Sequence, residues 1–204
     1  SLTDGHGDGA PAEIFPDSDI QQWRAEYPEL LDSTERIHPR YGSVAVHTGG
    51  RLIIVDTGLQ APGGTLLKEM RQKGIDREAV DIVVMTHLHL DHVGWNLTDG
   101  SPTFPRARYL VPRDDWEYWT QPLLLKDAPH VRDQVLPLEQ LRIMDFMDGE
   151  YNITGELIAI PTPGHTPGHI SITIMSAGQR GFILGDVAHS PAQAHYTDWN
   201  PTFD

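Results

Sequence analysis

An α/β domain is what this sequence predicts, on three observations. Residues 82–85 (IVVM) form a short, continuous, β-branched apolar run, the pattern of a buried strand. Residues 43–48 and 51–56 are two strand-like runs joined by Gly49-Gly50, a pair that tolerates the positive φ of a two-residue hairpin turn. Polar residues then follow directly where strands end, as Asp56 does in one case and His87 in another. Open α/β sheets gather their chemistry at such ends.

The remaining elements follow in chain order. Residues 1–18 are rich in Gly, Pro and Asp and read as an irregular arm, with His6 a surface residue. Trp23, Tyr27, Leu30 and Leu31 sit at roughly helical spacing, and Pro28 prevents a long helix. Thr65 is placed to cap a helix through Lys73, with Leu66, Leu67 and Met70 inward and Gly74 closing it. Residues 108–111 read as a strand and 114–119 as a helix. Trp116 and Trp119 share one face of that helix, as core or as the wall of a substrate pocket. Residues 128–136 predict a helix with Pro129 in its first turn and His130 on the surface. The last third is β-rich, with strands expected over 141–146, 151–154, 156–160, 169–175 and 181–184. No repeat or linker divides residues 1–204, so one domain is expected.

Composition excludes several classes. The chain carries 29 acidic and 15 basic residues, a formal charge of −14, which argues against nucleic acid as a partner. No cysteine is present, so disulfides, thiolate metal sites and cysteine nucleophiles are excluded. Apolar runs reach only four or five residues, too short to span a membrane. No signal peptide is visible and the chain starts at Ser1 without methionine, so a cytoplasmic location and a trimmed N-terminus are expected.

Chemistry concentrates after the strand at 82–85. In His87-Leu88-His89-Leu90-Asp91-His92, four metal-binding side chains fall within six residues. His87 and His89, two apart, point to one side of an extended backbone, whereas the adjacent Asp91 and His92 diverge and serve a second centre. Imidazoles with a carboxylate suit zinc, with iron, manganese or cobalt as other occupants. His165 and His169 lie in a rigid Pro/Gly-rich turn, and Asp186 follows another strand. If their strands run the same way, Asp56, the His87 cluster, His165 and Asp186 share one rim.

The His-x-His-x-Asp-His string, the later Gly-His-Thr-Pro-Gly-His and the Gly185-Asp186 pair resemble the metallo-β-lactamase superfamily of hydrolases. The fuller strings THLHLDHVGWN and GDVAHSPAQ are similar to its branch of acyl-homoserine lactonases and organophosphate (methyl parathion) hydrolases. The resemblance implies a four-layer αβ/βα sandwich with a dinuclear site at one edge. It implies that His87, His89 and His165 hold one metal, that Asp91 and His92 help hold the other, and that Asp186 bridges both. Asp56 would orient a ligand histidine, and His169 would be structural or support a ligand.

The family pattern ends with a further histidine ligand several tens of residues past the bridging aspartate, yet only 18 residues follow Asp186. A chain lacking terminal elements of the fold is therefore expected, including the usual N-terminal strand. His189 or His195 could substitute as a ligand, but the second site is then the weaker part of the pattern.

The implied function is hydrolysis of a small ester or lactone, or a phosphotriester, by a metal-bound hydroxide, with two divalent ions about 3.5–4 Å apart. Asp91 would accept or relay a proton, and His189 would act as leaving-group acid or carbonyl donor. Trp95, Trp116 and Trp119 are candidates for the pocket. A small-molecule substrate is the expected partner, and a homodimer is compatible with this reading. Thioesterase or β-lactamase chemistry on the same site, and a silent metal-binding scaffold, are the alternatives. Redox chemistry at two irons is disfavoured, because its usual acidic replacement is not seen in the first motif.

Overall fold

The structure, a computed structural model, describes residues 1–203. In chain order its helices and strands are β1 (Leu2–His6), α1 (Pro11–Ile14), α2 (Ile20–Glu26), β2 (Arg40–Thr48), β3 (Arg51–Val55), α3 (Leu66–Gln72), β4 (Val80–Val84), α4 (Leu90–Val93), the short pair β5 (Leu97–Thr98) and β6 (Ser101–Pro102), β7 (Arg108–Pro112), α5 (Arg113–Trp119), α6 (Pro122–Leu125), α7 (Pro129–Gln134), α8 (Leu136–Gln140), β8 (Met144–Met147), β9 (Tyr151–Asn152), β10 (Leu157–Pro161), β11 (Ile170–Ser176) and β12 (Gln179–Ile183). They form two compact units, one of residues 1–5 and 41–185, the other of residues 6–40 and those from 186 onward.

The larger unit is built on two sheets. The first has the order β1-β2-β3-β4-β7-β8 and the second the order β12-β11-β10-β9. Strands β3, β4, β7 and β8 run parallel, and helices fill the crossovers between them. A parallel strand between two packed layers must be apolar on both faces, and β3 and β4 are. Ile53, Val55, Ile82 and Val84 face the second sheet, where they pack with Leu157, Ala159, Ile170 and Ile172. Ile54 and Val83 face the other way, against Leu66 and Met70 of α3 and Val131 and Leu138 of α7 and α8. The second sheet is antiparallel and alternates: Leu157 and Ala159 are buried, whereas Ile158 and Ile160 are half-buried and Phe182 is exposed. Among the described residues no helix is long and apolar enough to cross a membrane.

The hairpin, the strand at 82–85 and Pro28 stand where the sequence places them, Pro28 opening a short 3-10 turn after α2. The N-terminal arm differs. Residues 2–6 are strand β1 at the edge of the first sheet, not an irregular segment. Its buried Asp4 explains why a Gly- and Asp-rich segment becomes a strand. The carboxylate accepts hydrogen bonds from the amides of Leu59 (2.8 Å), Gln60 (2.9 Å) and Leu66 (2.8 Å) and from Trp95 Nε1 (2.9 Å). Tertiary bonding overrides weak β propensity here. Thr65 stands at the N-cap of α3, but its hydroxyl donates to the Thr3 carbonyl and Asp4 satisfies the amide of Leu66 instead. The helix expected over 128–136 is two helices that meet at Val135, with Pro137 in the first turn of the second.

In the smaller unit, α1 and α2 surround an aromatic cluster of Phe15, Trp23, Tyr27 and Trp199. The rings of Trp23 and Trp199 stack with centroids 5.2 Å apart. Trp23 and Tyr27 are therefore core residues.

Candidate metal centre

Strands β3 and β4 are parallel neighbours, so the residues that follow them emerge at the same edge of the sheet. Asp56, the first residue past β3, has φ +58°, a left-handed conformation that costs a non-glycine residue about 1–2 kcal/mol. Its hydrogen bonds offset that cost. Its carboxylate accepts from the Thr86 amide at 2.7 Å, the Thr86 hydroxyl at 2.9 Å and His92 Nδ1 at 2.9 Å. With Nδ1 donating to Asp56, the His92 tautomer is fixed and Nε2 carries the lone pair.

His87, fully buried, and His89 follow Thr86 in extended backbone, and their rings converge with that of His165. His87 Nε2 lies 3.1 Å from His89 Nδ1, which lies 2.8 Å from His165 Nε2. A tetrahedral zinc ion with Zn–N near 2.0–2.1 Å separates its nitrogens by about 3.3 Å, so this donor set fits a metal after a small relaxation. Asp91 and His92 do not diverge. The chain turns into α4 at Leu90, and Asp91 Oδ2 comes within 3.6 Å of His92 Nε2. The rings of His87 and His92 approach to 3.9 Å between centroids, which sets this second pair beside the first.

His165 comes from the loop between β10 and β11. His169, in the same loop, is buried with Nδ1 2.9 Å from the Thr162 hydroxyl. The loop also packs on α5. Gly168 approaches so closely that a Cβ there would lie 2.1 Å from the amide nitrogen of Asp115. The Asp115 carboxylate accepts from the amides of Gly168 (2.7 Å) and Leu88 (2.8 Å), and burial raises its pKa above the ordinary carboxylate range. On the other side, His130 hydrogen-bonds the backbone of Leu88, and burial lowers its pKa. His130 is therefore half-buried support, not a surface residue.

The tryptophans divide. Trp116 packs on Phe146 in the core, whereas the Trp119 ring stands edge-on to His89 at 5.5 Å. Trp95 donates to Asp4. In the smaller unit, His189 Nε2 lies 3.2 Å from Asp186 Oδ2, and the Gln193 side chain holds the His189 amide at 2.6 Å. His195 Nδ1 is hydrogen-bonded to the Tyr27 hydroxyl at 2.5 Å within the aromatic cluster.

Two parallel strand ends, three converging imidazoles and an Asp-His pair are the features of one family, and a comparison with known proteins decides it. Residues 42–202 match the model of the metallo-beta-lactamase superfamily. The chain belongs to that superfamily. Among curated proteins it is similar to the N-acyl homoserine lactonase AttM of Rhizobium radiobacter, with 32% identity over 120 residues. That match covers 57% of this chain and 44% of AttM, so the chain spans less than half the length of this relative. Among solved structures it resembles the hydrolase AbOPH of the beta lactamase superfamily, with 26% identity, a TM-score of 0.80, and coverage of 92% of this chain and 70% of that one. AidC, a dizinc quorum-quenching lactonase, shares the fold at a TM-score of 0.82 and 21% identity, over 99% of this chain and 76% of its own.

The superfamily's metallo-beta-lactamase fold thus brings His87, His89, Asp91, His92 and His165 together within the larger unit. Sequence reasoning missed Thr86, Asp115 and His130. Thr86 directly precedes the motif, but Asp115 sits in an ordinary acidic first turn of a helix and carried no signal. A cavity of about 440 Å³ opens beside α4, lined by Leu59, Gln60, Leu90, Gly94, Asp127, Pro129, His130 and Gln134.

Proposed function

We propose that this chain is a metal-dependent hydrolase of small, neutral esters, with lactones first and phosphotriesters next. The observation that carries the reading is the convergence of His87 Nε2, His89 Nδ1 and His165 Nε2 at 2.8–3.1 Å, beside the Asp91–His92 pair. Five donors at one strand-end rim suit divalent ions, zinc foremost, and the absence of thiolates fits that of the nitrogen-and-oxygen class. A bound divalent ion would supply Lewis-acid polarisation and an activated water near neutral pH.

The chain's own residues do the rest. Asp56 holds His92 in the tautomer that presents Nε2, and Thr86 ties the start of the ligand loop to the same carboxylate. Asp91, half-buried beside His92, accepts the proton released as water adds to the carbonyl or phosphoryl centre. The cavity beside α4 mixes leucine and proline with glutamine, His130 and Asp127, a lining that suits a small, partly apolar substrate without negative charge. The acidic chain weighs against strongly anionic ones.

The Gly185-Asp186 motif supports Asp186 as the carboxylate ligand shared by two ions, and His189 as leaving-group acid or carbonyl donor. The small-molecule substrate, a cytoplasmic location and a homodimer belong to the same proposal.

Elemental analysis of the purified chain, alongside turnover of a lactone and a phosphotriester, tests it. Two metals per chain with chelator-sensitive turnover are expected, Asp186→Asn lowering the stoichiometry and His189→Ala lowering kcat with the metals retained. Bound metal without turnover of any lactone, ester, thioester, β-lactam or phosphotriester would favour the silent scaffold.

A further inference from the structure

The three imidazoles that converge come from two different sheets. His87 and His89 follow β4 of the first sheet, and His165 lies between β10 and β11 of the second. The two sheets share one core, but the loops that leave them need connections of their own to fix the ligand spacing at the rim. A backbone bond from the Ile170 amide to the Thr86 carbonyl, at 2.9 Å, joins the two loops before His87, and one side chain joins them after it. Asp115, in the first turn of α5 and fully buried, accepts from the Leu88 amide through Oδ2 and from the Gly168 amide through Oδ1.

Leu88 is the residue between the two ligand histidines, and Gly168 is three residues past the third ligand. Both bonds are short, at 2.8 and 2.7 Å, and both link a carboxylate to a backbone amide. Such bonds are directional and stronger than neutral ones. Gly168 adds a steric partner to the electrostatic one. Its α-carbon lies so close to the first turn of α5 that a Cβ would fall 2.1 Å from the Asp115 nitrogen and 2.9 Å from the Asp114 carbonyl carbon. The loop can reach the carboxylate only because residue 168 has no side chain.

We propose that Asp115 is a positioning residue, a carboxylate clamp that sets the spacing between His87/His89 and His165 and so preorganises the metal site. The inference rests on the metal-centre reading and deepens it. The Asp115 oxygens accept from backbone amides, so it acts by holding two backbones. An amide in its place, as in Asp115→Asn, keeps one acceptor oxygen and turns an NH2 group toward the other backbone amide, so one loop is released. Partners that orient ligands in this way typically contribute 10–100-fold in metal affinity.

The test is competition for zinc against a chromophoric chelator, with the cobalt(II) d–d spectrum as a report on ligand geometry. The variants are Asp115→Asn and Gly168→Ala, which attack the clamp from either side. Val131→Ala, a cavity in the core on the helical side of the sheet, is the control for general destabilisation. His87→Ala is the control for the site itself. Both clamp variants are expected to bind zinc about 10–100-fold more weakly and to change the cobalt spectrum while keeping wild-type far-UV circular dichroism. Val131→Ala is expected to melt earlier with affinity and spectrum intact.

Wild-type affinity and spectrum in Asp115→Asn would overturn the clamp. So would an equal loss of affinity in Val131→Ala, or loss in the clamp variants only in step with lost secondary structure. If His87→Ala also binds zinc like wild type, the metal-centre reading itself fails, an outcome distinct from failure of the clamp alone.

Discussion

The two loops that carry the ligand histidines are held in opposite ways. The loop after β4 is buried and bonded through side chains. Asp56 accepts from Thr86 twice and from His92, and Leu88 is fixed by Asp115 and His130. The loop between β10 and β11 is more exposed, with Pro163, Gly164 and Pro167 at the surface, and it is held by backbone turn bonds, the Thr162–His169 bond and proline stiffness, with Asp115 tying it to α5. The difference follows from the sheets. A parallel strand inside the first sheet delivers its loop into a packed interior, where every polar group needs a partner. The antiparallel second sheet delivers the first half of its loop to the surface, where chain entropy must be limited, and buries the second half from Gly168 onward.

The largest effect expected from this contrast lies in the buried loop. Asp56→Ala strands the Thr86 amide and His92 Nδ1 and is expected to cost about 3 kcal/mol, read as a lowered urea midpoint at unchanged m. Metal should act across both loops. At about 100 times its Kd, an ion that binds only the folded chain adds about 2.7 kcal/mol, or a rise of about 5–11 °C in Tm for a chain of this size. Absence of any shift on adding zinc to the chelator-stripped chain would break the comparison at its root. In the exposed loop, Pro163→Ala and Pro167→Ala should each cost only about 0.4–1 kcal/mol, through the freedom regained by the unfolded chain.

The smallest effect concerns His130. Burial holds its folded pKa below the ordinary value, so the unfolded chain binds the proton first as pH falls. The stability it preserves is full above the unfolded pKa, near 6.5, and is lost as pH drops from there toward the folded value. The gap in urea midpoint between pH 7.5 and pH 5 should therefore narrow in His130→Gln.

The ligand histidines were legible because metal binding demands particular donors, and here four of those donors are packed into six residues of sequence. Strands β3 and β4 were legible because burial on both faces leaves short but continuous apolar runs. What holds the ligands was not legible. Asp115 reads as one of two acidic residues in a helical first turn, where charge is ordinary, and its partners are 27 and 53 residues away. Strand β1 was hidden for the same reason, since the residues that make Asp4 an internal acceptor lie 55 to 91 positions along the chain. Asp91 and His92 were read in extended backbone, and the one-turn helix α4 changed their directions.

Asp4 also bears on the order in which the molecule assembles. A bare carboxylate is costly to desolvate until its donors are in place, and these four belong to the loop after β3, the start of α3 and the turn after α4. Closing loops of such length is entropically slow as well. The first strand in sequence should therefore be the last to dock in folding and the earliest to detach in unfolding. Pulse-labelled exchange during refolding would then find the amides of β3 and β4 protected before those of Leu59, Gln60 and Leu66. On this account strand β1 would act as a latch that closes over a finished interior.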